Sequence, residues 1–533
     1  MVNIYLRPGN ATPQNVNLRD PGVQDGVLAC APGSYTITGY DATFVHNPSR
    51  VVNIYLRPGN ATPNNITLLN TQAPDVSGLN QYVLLCEAGS YTITGQPAAV
   101  LDNRVLACAA GSYSLTGQPA ALLYDRVLAD AVGSFAITGY SATLLHNRIL
   151  NAAAGAYTIN GDAAALLHDR ILGDAVGSYA ITGYSASLLY NRVLRAAPGS
   201  YSISGDAATL LHDRILADAV GSFTITGFSA SLLRNRVLAC AAGSYSISGD
   251  AAALLHDRVL ADAVGSYTIT GNSASLLHNR ILSAAPGSYT INGDSAALLY
   301  DRVLADAVGS FAITGNSASL LHNRVLACAA GSFALSGDAA TLLHDRILAD
   351  AVGSYTITGY SASLFYNRVL ACAAGSYSIN GDAAALLYDR VLADAVGSFA
   401  ITGYSASLLY NRVLACEVGS YTITGFDAEL LSSSNLILDC AVGSYSISGE
   451  AAALLHNRVL ACEAGSFAIS GGAAELLHER VLDADAGSFA ITGSNVVLLH
   501  NRILNAQPGS FRITHPRGVS FNTSWYNYPR KAA

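Results

Sequence analysis

Histidine is the residue type in this chain best suited to bind a metal, and its spacing is regular. Eleven of the twelve histidines lie at one position of a repeated unit, directly before an Asn, Asp or Glu. Histidines of adjacent units could together bind zinc or nickel. However, other units place Tyr124, Tyr190 and Arg234 at this position, whereas a metal site needs a fixed set of ligands. We therefore expect an exposed column that tolerates His, Tyr or Arg, with no metal and no cofactor.

The nine cysteines also share one position, three residues before a glycine of the repeat. Other units place Ala196 or Asp130 there, so the position selects a small side chain rather than a thiol. The odd number of cysteines, several without a cysteine in an adjacent unit, argues against a disulfide framework. A single bridge between neighbours such as Cys86 and Cys108 stays open. This usage is typical of a chain made in a reducing compartment.

Charged residues form a regular pattern along the repeats. Arginine recurs in every unit of the array, whereas the residue before it alternates between Asp and Asn, which gives a second period of 44 residues. Identical charges one strand spacing apart repel each other, and Asp in alternate units would neutralise a column of arginines. We therefore predict a structural ladder that includes Arg126, Arg148, Arg170, Asp125, Asn147 and Asp169.

Catalysis is not indicated by these residues. The candidate acids, bases and nucleophiles recur in register, whereas an active site needs one convergent pocket. The outward Thr-x-Thr of segments such as 268–270 resembles the face of ice-binding solenoids, but its positions vary among Thr, Ser, Ala and Asn. Ordinary strand-forming threonine explains the pattern better. The sequence thus predicts a protein that is not an enzyme.

All these positions belong to a 22-residue repeat. A typical unit, GSYTITGNSASLLHNRILSAAP from Gly265 to Pro286, opens with alternating apolar and small polar residues, as a half-buried strand does. The rest of the unit is compatible with two further strands or with one capped helix. We predict an all-β fold, a β-solenoid of about 20 coils in which two coils form a 44-residue super-repeat. The alternative is an α/β solenoid with one strand and one helix per repeat.

Three regions can be separated along the chain. Residues 1–78 contain a duplicated VNIYLRPGNATP motif, residues 79–510 form the repeat array, and residues 511–533 form a tail. Because an end coil is an unpaired edge, we predict that the first region caps or attaches one end and that the tail caps the other. The candidate attachment or interface residues are Tyr5, Arg7, Tyr55, Arg57, Trp525, Tyr526 and Tyr528.

Composition narrows the choice of partners. The net charge of -8, with both signs interspersed, argues against nucleic-acid binding, and no apolar run reaches the ~18 residues of a membrane span. Because 51% of residues are hydrophobic and only 12% are charged, we expect copies of the chain to cover one another. The first 13 residues lack a basic start and an apolar run, so we expect assembly in the cytoplasm without a Sec signal peptide.

The units GSYTITG, GSFAITG and GSYSISG, joined by ALLxxR(V/I)LAxA, resemble repeats of structural proteins of tailed bacteriophages and prophages. The N-terminal NIYLRPGNATP is similar to the opening of such virion proteins. The resemblance implies a non-enzymatic fibre or decoration protein of a virion, with other virion proteins and a host-surface glycan as partners. The alternative is a bacterial extracellular filament or adhesin that polymerises end to end.

Overall fold

The computed structural model of the chain consists of strands and short bends, and the residues it describes form no helix. The N-terminal residues described are 2–6, 16–17, 27–30, 33–38, 41–46, 52–56 and 65–68. From residue 83 to residue 523 the strands of every repeat are described, with short gaps at most connections. Side chains are described almost entirely for the first two strands of each repeat, between residues 94 and 514.

Each repeat of the array forms one coil of three strands. One coil contains Ser178–Thr182, Ser185–Tyr190 and Val193–Ala196, which we call its first, second and third strand. The first strands are Gly89–Gly95, Ser112–Gly117, Ser134–Gly139 and, in steps of 22 residues, Ala156–Asn160 to Ser376–Asn380. The second strands are Ala98–Asp102, Ala120–Tyr124 and, in steps of 22 residues, Ser141–His146 to Ala383–Tyr388. The third strands are Val83–Cys86, 22-residue steps from Val105–Cys108 to Val413–Cys416, Ile437–Cys440, Val459–Cys462, Val481–Ala484 and Ile503–Ala506.

Towards the C-terminus the first and second strands merge into single long strands. These are Ser398–Tyr410, Ser420–Ser432, Ser444–His456, Ser466–His478 and Ser488–His500, followed by the shorter Ser510–Thr514 and Ser520–Thr523. The strands before the array are Val2–Leu6, Val16–Asn17, Val27–Cys30, Gly33–Thr38, Asp41–His46, Val52–Leu56 and Asn65–Leu68.

Equivalent strands of successive coils pair in parallel and in register. Tyr179 pairs with Tyr201, and Leu188 pairs with Leu210, each 22 residues further on. This confirms the prediction of an all-β solenoid with a 22-residue repeat, and the strand-plus-helix alternative is not favoured. The chain divides into two compact units, Met1–Gly271 and Asn272–Ala533. Each unit contains about ten coils.

The core is built from alternate residues of the first two strands. In one first strand Tyr201 and Ile203 are buried, whereas Ser202 and Ser204 face outward. The following second strand buries Ala208 and Leu210 in the same way. Burial of each large apolar side chain stabilises the fold by about 1.5–3 kcal/mol. Because each coil is flat and short, these side chains are buried mainly by their counterparts in the coils on either side.

An aromatic side chain from every first strand forms a continuous stack inside each unit. Tyr179 and Tyr201 lie 4.8 Å apart between ring centroids and are 2° from parallel. The stack in the first unit comprises Phe135, Tyr157, Tyr179, Tyr201, Phe223, Tyr245 and Tyr267. A corresponding stack in the second unit runs from Tyr289 to Phe333 and on to Phe489. Stacked aromatic pairs add about 0.5–1.5 kcal/mol beyond their burial.

A glycine ends the first strand of each array coil, and close approach of the backbone explains it. A Cβ atom on Gly205 would lie 1.8 Å from the carbonyl oxygen of Gly183 in the preceding coil. The backbone of Gly205 does not have a positive φ, so the lack of a side chain rather than an unusual conformation is required. The amide of Gly205 donates a hydrogen bond of 3.0 Å to the carbonyl of Thr226 in the following coil.

The duplicated N-terminal motifs lie beside an early coil. Val2–Leu6 and Val52–Leu56 pair with each other in parallel. The early first strand Gly33–Thr38 pairs directly with Gly89–Gly95, although 50 residues separate their ends. Strand Asn65–Leu68 then pairs with Asp41–His46 on the side away from the array. The second motif therefore continues into a strand that covers the edge of the early coil.

Candidate functional surfaces

The predicted charged ladder lies outside the described residues. Arg126, Arg148, Arg170, Asp125, Asn147 and Asp169 all fall in the gaps before the third strands. The neutralised arginine column therefore stays a prediction. The third strands that follow are parallel and in register, as Val127 with Ile149 illustrates.

The predicted attachment residues are only partly described. Tyr5 and Tyr55 occupy equivalent places in the paired N-terminal strands and face each other in the register. Arg7, Arg57, Trp525, Tyr526 and Tyr528 lie outside the described residues. At the C-terminal end Ser510–Thr514 and Ser520–Thr523 both pair with Ser488–His500 and so extend the stack.

The cysteine position lies in the third strands, where the backbone is described and the side chains are not. Cys86 pairs in register with Cys108 and, on its other side, with Cys30. Cys440 likewise pairs with Cys416 and Cys462. The register therefore aligns these cysteines one strand spacing apart, and the question of an isolated bridge stays open.

Two histidines of the repeated histidine position are described, and they are buried. His322 and His344 are each 3% exposed, so the expectation of an exposed column is wrong for these two residues. The reason is the alternation of the second strand, in which Ala318, Leu320 and His322 point to the same side. Nδ1 of His322 and Nε2 of His344 lie 2.8 Å apart in a hydrogen bond, and the two rings are stacked at 4.7 Å.

We expect acid to destabilise the coils that contain this histidine pair. Burial and then the charge of His322 lower the pKa of His344 from 6.5 to about 3. Between these values the unfolded chain binds a proton that the folded chain does not bind. The stabilisation is therefore complete above pH 6.5 and is lost progressively as the pH falls towards 3. At pH 5 we expect the free energy of unfolding to be lower by about 2 kcal/mol, measured by urea denaturation at pH 7 and pH 5.

A matched control exists within the chain, because the two following coils place Tyr366 and Tyr388 in register at this position. The double variant His322→Tyr/His344→Tyr reproduces that pair and should lose the part of the acid sensitivity that His344 contributes. Equal acid sensitivity of the variant and the wild-type protein would show that the pair is not responsible.

The outward side of the first strands is lined by small polar residues. Thr226 and Thr270 are exposed, and hydroxyl groups approach one another both within a strand and between coils. Ser202 Oγ lies 3.4 Å from Ser204 Oγ, and Thr424 Oγ1 lies 3.3 Å from Ser448 Oγ. These hydroxyl groups satisfy part of one another's hydrogen-bonding capacity at the surface.

The outward side of the second strands carries an apolar row that the sequence analysis did not identify. Of the paired leucines in each coil, the first is buried and the second faces outward. Leu211 and Leu255 are each 37% exposed, and Leu343 is 39% exposed. We call this row the leucine stripe. Its described members are Leu145, Leu167, Leu189, Leu211, Leu233 and Leu255 in the first unit and Leu277, Leu299, Leu321, Leu343, Phe365, Leu387, Leu409, Leu431, Leu455 and Leu477 in the second.

A second surface missed by the sequence analysis lies at the bend between the first and second strands. The residue after the bend glycine alternates between an aromatic residue and Asp from coil to coil. Tyr140, Tyr184 and Phe228 are 65–70% exposed, and Tyr360 and Tyr404 are similarly exposed in the second unit. The signal was present in the sequence as a second residue position with a 44-residue period.

Chemistry that needs clustered ligands finds no support in the described part of the chain. No group of three or more His, Cys, Asp or Glu residues there could hold a metal ion. Among the same residues no helix is long and apolar enough to cross a membrane. Comparison of the chain with protein-family models, with curated proteins and with solved structures found no match.

Proposed function

We propose that this chain is a non-enzymatic structural protein that associates with copies of itself. The observation that carries the proposal is the leucine stripe, which places a one-third exposed apolar side chain on coil after coil of each unit. Large contiguous apolar patches on soluble proteins commonly mark interfaces. A row that repeats at the strand spacing of about 4.8 Å matches best a surface with the same spacing, and a second copy has that spacing throughout.

The setting that we propose is a fibre or decoration protein of a phage virion, assembled in the cytoplasm, in contact with other virion proteins. The support for this is the resemblance of the GSYTITG-type units and of the NIYLRPGNATP opening to virion proteins. The alternative setting is a bacterial extracellular filament or adhesin. Mass spectrometry of purified phage particles and of sheared surface filaments from the same host would distinguish them, because each setting predicts the chain in only one fraction.

Charge on the leucine stripe is expected to weaken self-association. In the variant Leu211→Lys/Leu255→Lys two like charges would face the apolar row of a second copy and would be costly to bury. We expect the dissociation constant for self-association to rise at least about tenfold, measured by sedimentation velocity over a range of protein concentrations.

The control is Thr226→Lys/Thr270→Lys, which adds the same charge in the first strands, away from the stripe. This variant should associate as the wild-type protein does. A monomeric wild-type protein at every concentration, or an equal effect of the two lysine variants, would contradict an interface at the stripe.

A further inference from the structure

The exposed residues at the bends form a regular column of aromatic rings and carboxylates. Tyr140 is 65% exposed, Tyr184 70% and Phe228 69%. Asp162, Asp206 and Asp250 are exposed at the bends of the intervening coils. The order along the first unit is therefore Tyr140, Asp162, Tyr184, Asp206, Phe228 and Asp250, which we call the bend column.

The backbone holds the bend column in register. The carbonyl oxygen of Tyr184 accepts a hydrogen bond of 2.9 Å from the amide of Ala207, and that of Asp206 accepts one of 2.8 Å from Ser229. Each bend is thus part of the hydrogen-bonded ladder between coils rather than a loose loop. Successive aromatic residues lie two coils apart, a separation of about 9.6 Å, with one carboxylate midway between them.

We infer that the bend column binds an extended, uncharged, β-1,4-linked glycan that lies along the solenoid axis. In such a chain each pyranose ring advances by nearly one strand spacing, and alternate rings present the same face. Every second sugar can then place its apolar face on Tyr140, Tyr184 or Phe228. The intervening sugars can donate hydroxyl hydrogen bonds to Asp162 and Asp206, and such bonds to an ionised acceptor are the stronger kind.

The charge of the column selects against other linear polymers. Exposed carboxylates repel polyuronates and the phosphates of nucleic acids, whose binding needs a basic groove. An extended strand advances by only about 3.3 Å per residue, so it does not alternate in step with the coils. A polyproline II helix has a closer period of about 9.3 Å, but its usual receptors are aromatic-lined grooves rather than an exposed row. A proline-rich peptide is therefore a competing outcome of the test.

The second unit shows which substitution leaves the bend intact. Asn272 and Asn316 occupy the aromatic places there, and the carbonyl of Asn316 accepts the same hydrogen bond, 2.9 Å from the amide of Ala339. Further along, Tyr360 and Tyr404 restore the aromatic places, and Phe426 stacks on Tyr404 with ring centroids 5.0 Å apart. Replacement of the aromatic residues by Asn thus removes the rings and keeps a bend that the chain already uses.

The test uses the full chain and isothermal titration calorimetry with cellohexaose and chitohexaose. We expect at least one of them to bind the wild-type protein. The six-substitution variant Tyr140→Asn, Tyr184→Asn, Phe228→Asn, Tyr360→Asn, Tyr404→Asn and Phe426→Asn should bind at least about tenfold more weakly. The matched control Asn272→Ala/Asn316→Ala should bind as the wild-type protein does, and far-UV circular dichroism should show the same strand content in all three proteins.

The inference is overturned if neither oligosaccharide binds the wild-type protein, or if the six-substitution variant binds as tightly as the wild type. It is equally overturned if polygalacturonate or a proline-rich peptide binds the column in place of the neutral glycan. The inference does not rest on the proposed self-association, which sedimentation velocity of the same proteins reads separately. Loss of glycan binding with unchanged sedimentation would assign the two properties to two different surfaces.

Discussion

Replacement of Phe223 by Ala is expected to lower the free energy of unfolding by about 3–5 kcal/mol. Phe223 is 1% exposed and stacks between Tyr201 and Tyr245, with ring centroids 5.2 Å and 5.5 Å away. Alanine would leave a ring-sized cavity in a column that cannot close it, because hydrogen bonds between the coils fix the spacing of the two flanking rings. Urea denaturation followed by circular dichroism measures the loss.

Phe228, five residues further along the same coil, is a matched control for this substitution. It has the same side chain but is 69% exposed at the bend. Phe228→Ala should therefore change the free energy of unfolding by no more than about 0.5 kcal/mol. Similar losses for the two variants would mean that the buried aromatic stack does not stabilise the solenoid as proposed.

The first strand of the coil could be predicted from the sequence because its pattern has one interpretation. In Ser-Tyr-Ser-Ile-Ser the large apolar residues alternate with small polar ones, and the structure buries Tyr201 and Ile203 accordingly. The glycines flanking this segment correctly predicted where the strand ends. Close approach to Gly183, rather than turn conformation, explains why Gly205 is required.

The second strand could not be predicted with the same certainty because its apolar residues are adjacent. A leucine pair is compatible with the broad apolar face of a helix and with a strand that exposes one leucine. Pairing between coils decides for the strand, since each leucine stacks on its counterpart, as Leu210 does on Leu232. The same alternation carries His322 inward, which inspection of a variable His, Tyr or Arg position did not predict.

Two periods along one chain give two kinds of surface. Leucine in every coil gives an apolar row with a single strand spacing, which suits a partner of the same construction. Aromatic residues in alternate coils give a row with twice that spacing and a carboxylate between them, which suits a polymer whose units alternate. A solenoid keeps these rows separate because each position of the repeat points in one direction along the whole unit.

Replacement of Gly205 by Ala is expected to destabilise the fold by about 3 kcal/mol or more, since the new methyl group meets backbone that cannot yield cheaply. Its Cβ would lie 1.8 Å from the carbonyl oxygen and 3.0 Å from the carbonyl carbon of Gly183. Relief requires the two coils to separate, which breaks the hydrogen bond from Gly205 to Thr226 or its neighbours in the ladder. Because a solenoid unfolds in terms of neighbouring repeats, hydrogen exchange should rise first in residues 178–226, and urea denaturation should report the overall loss.

Gly472 provides the control, because it occupies the outward bend position rather than the point of close approach. A Cβ atom there would lie 3.2 Å from the carbonyl oxygen and 3.4 Å from Cγ of Glu450, a shortfall that a small movement removes. Gly472→Ala should therefore cost less than about 1 kcal/mol, in part because alanine restricts the unfolded chain. If Gly205→Ala were tolerated as well as Gly472→Ala, the coils would be able to move apart at the bend, and the required glycine would need another explanation.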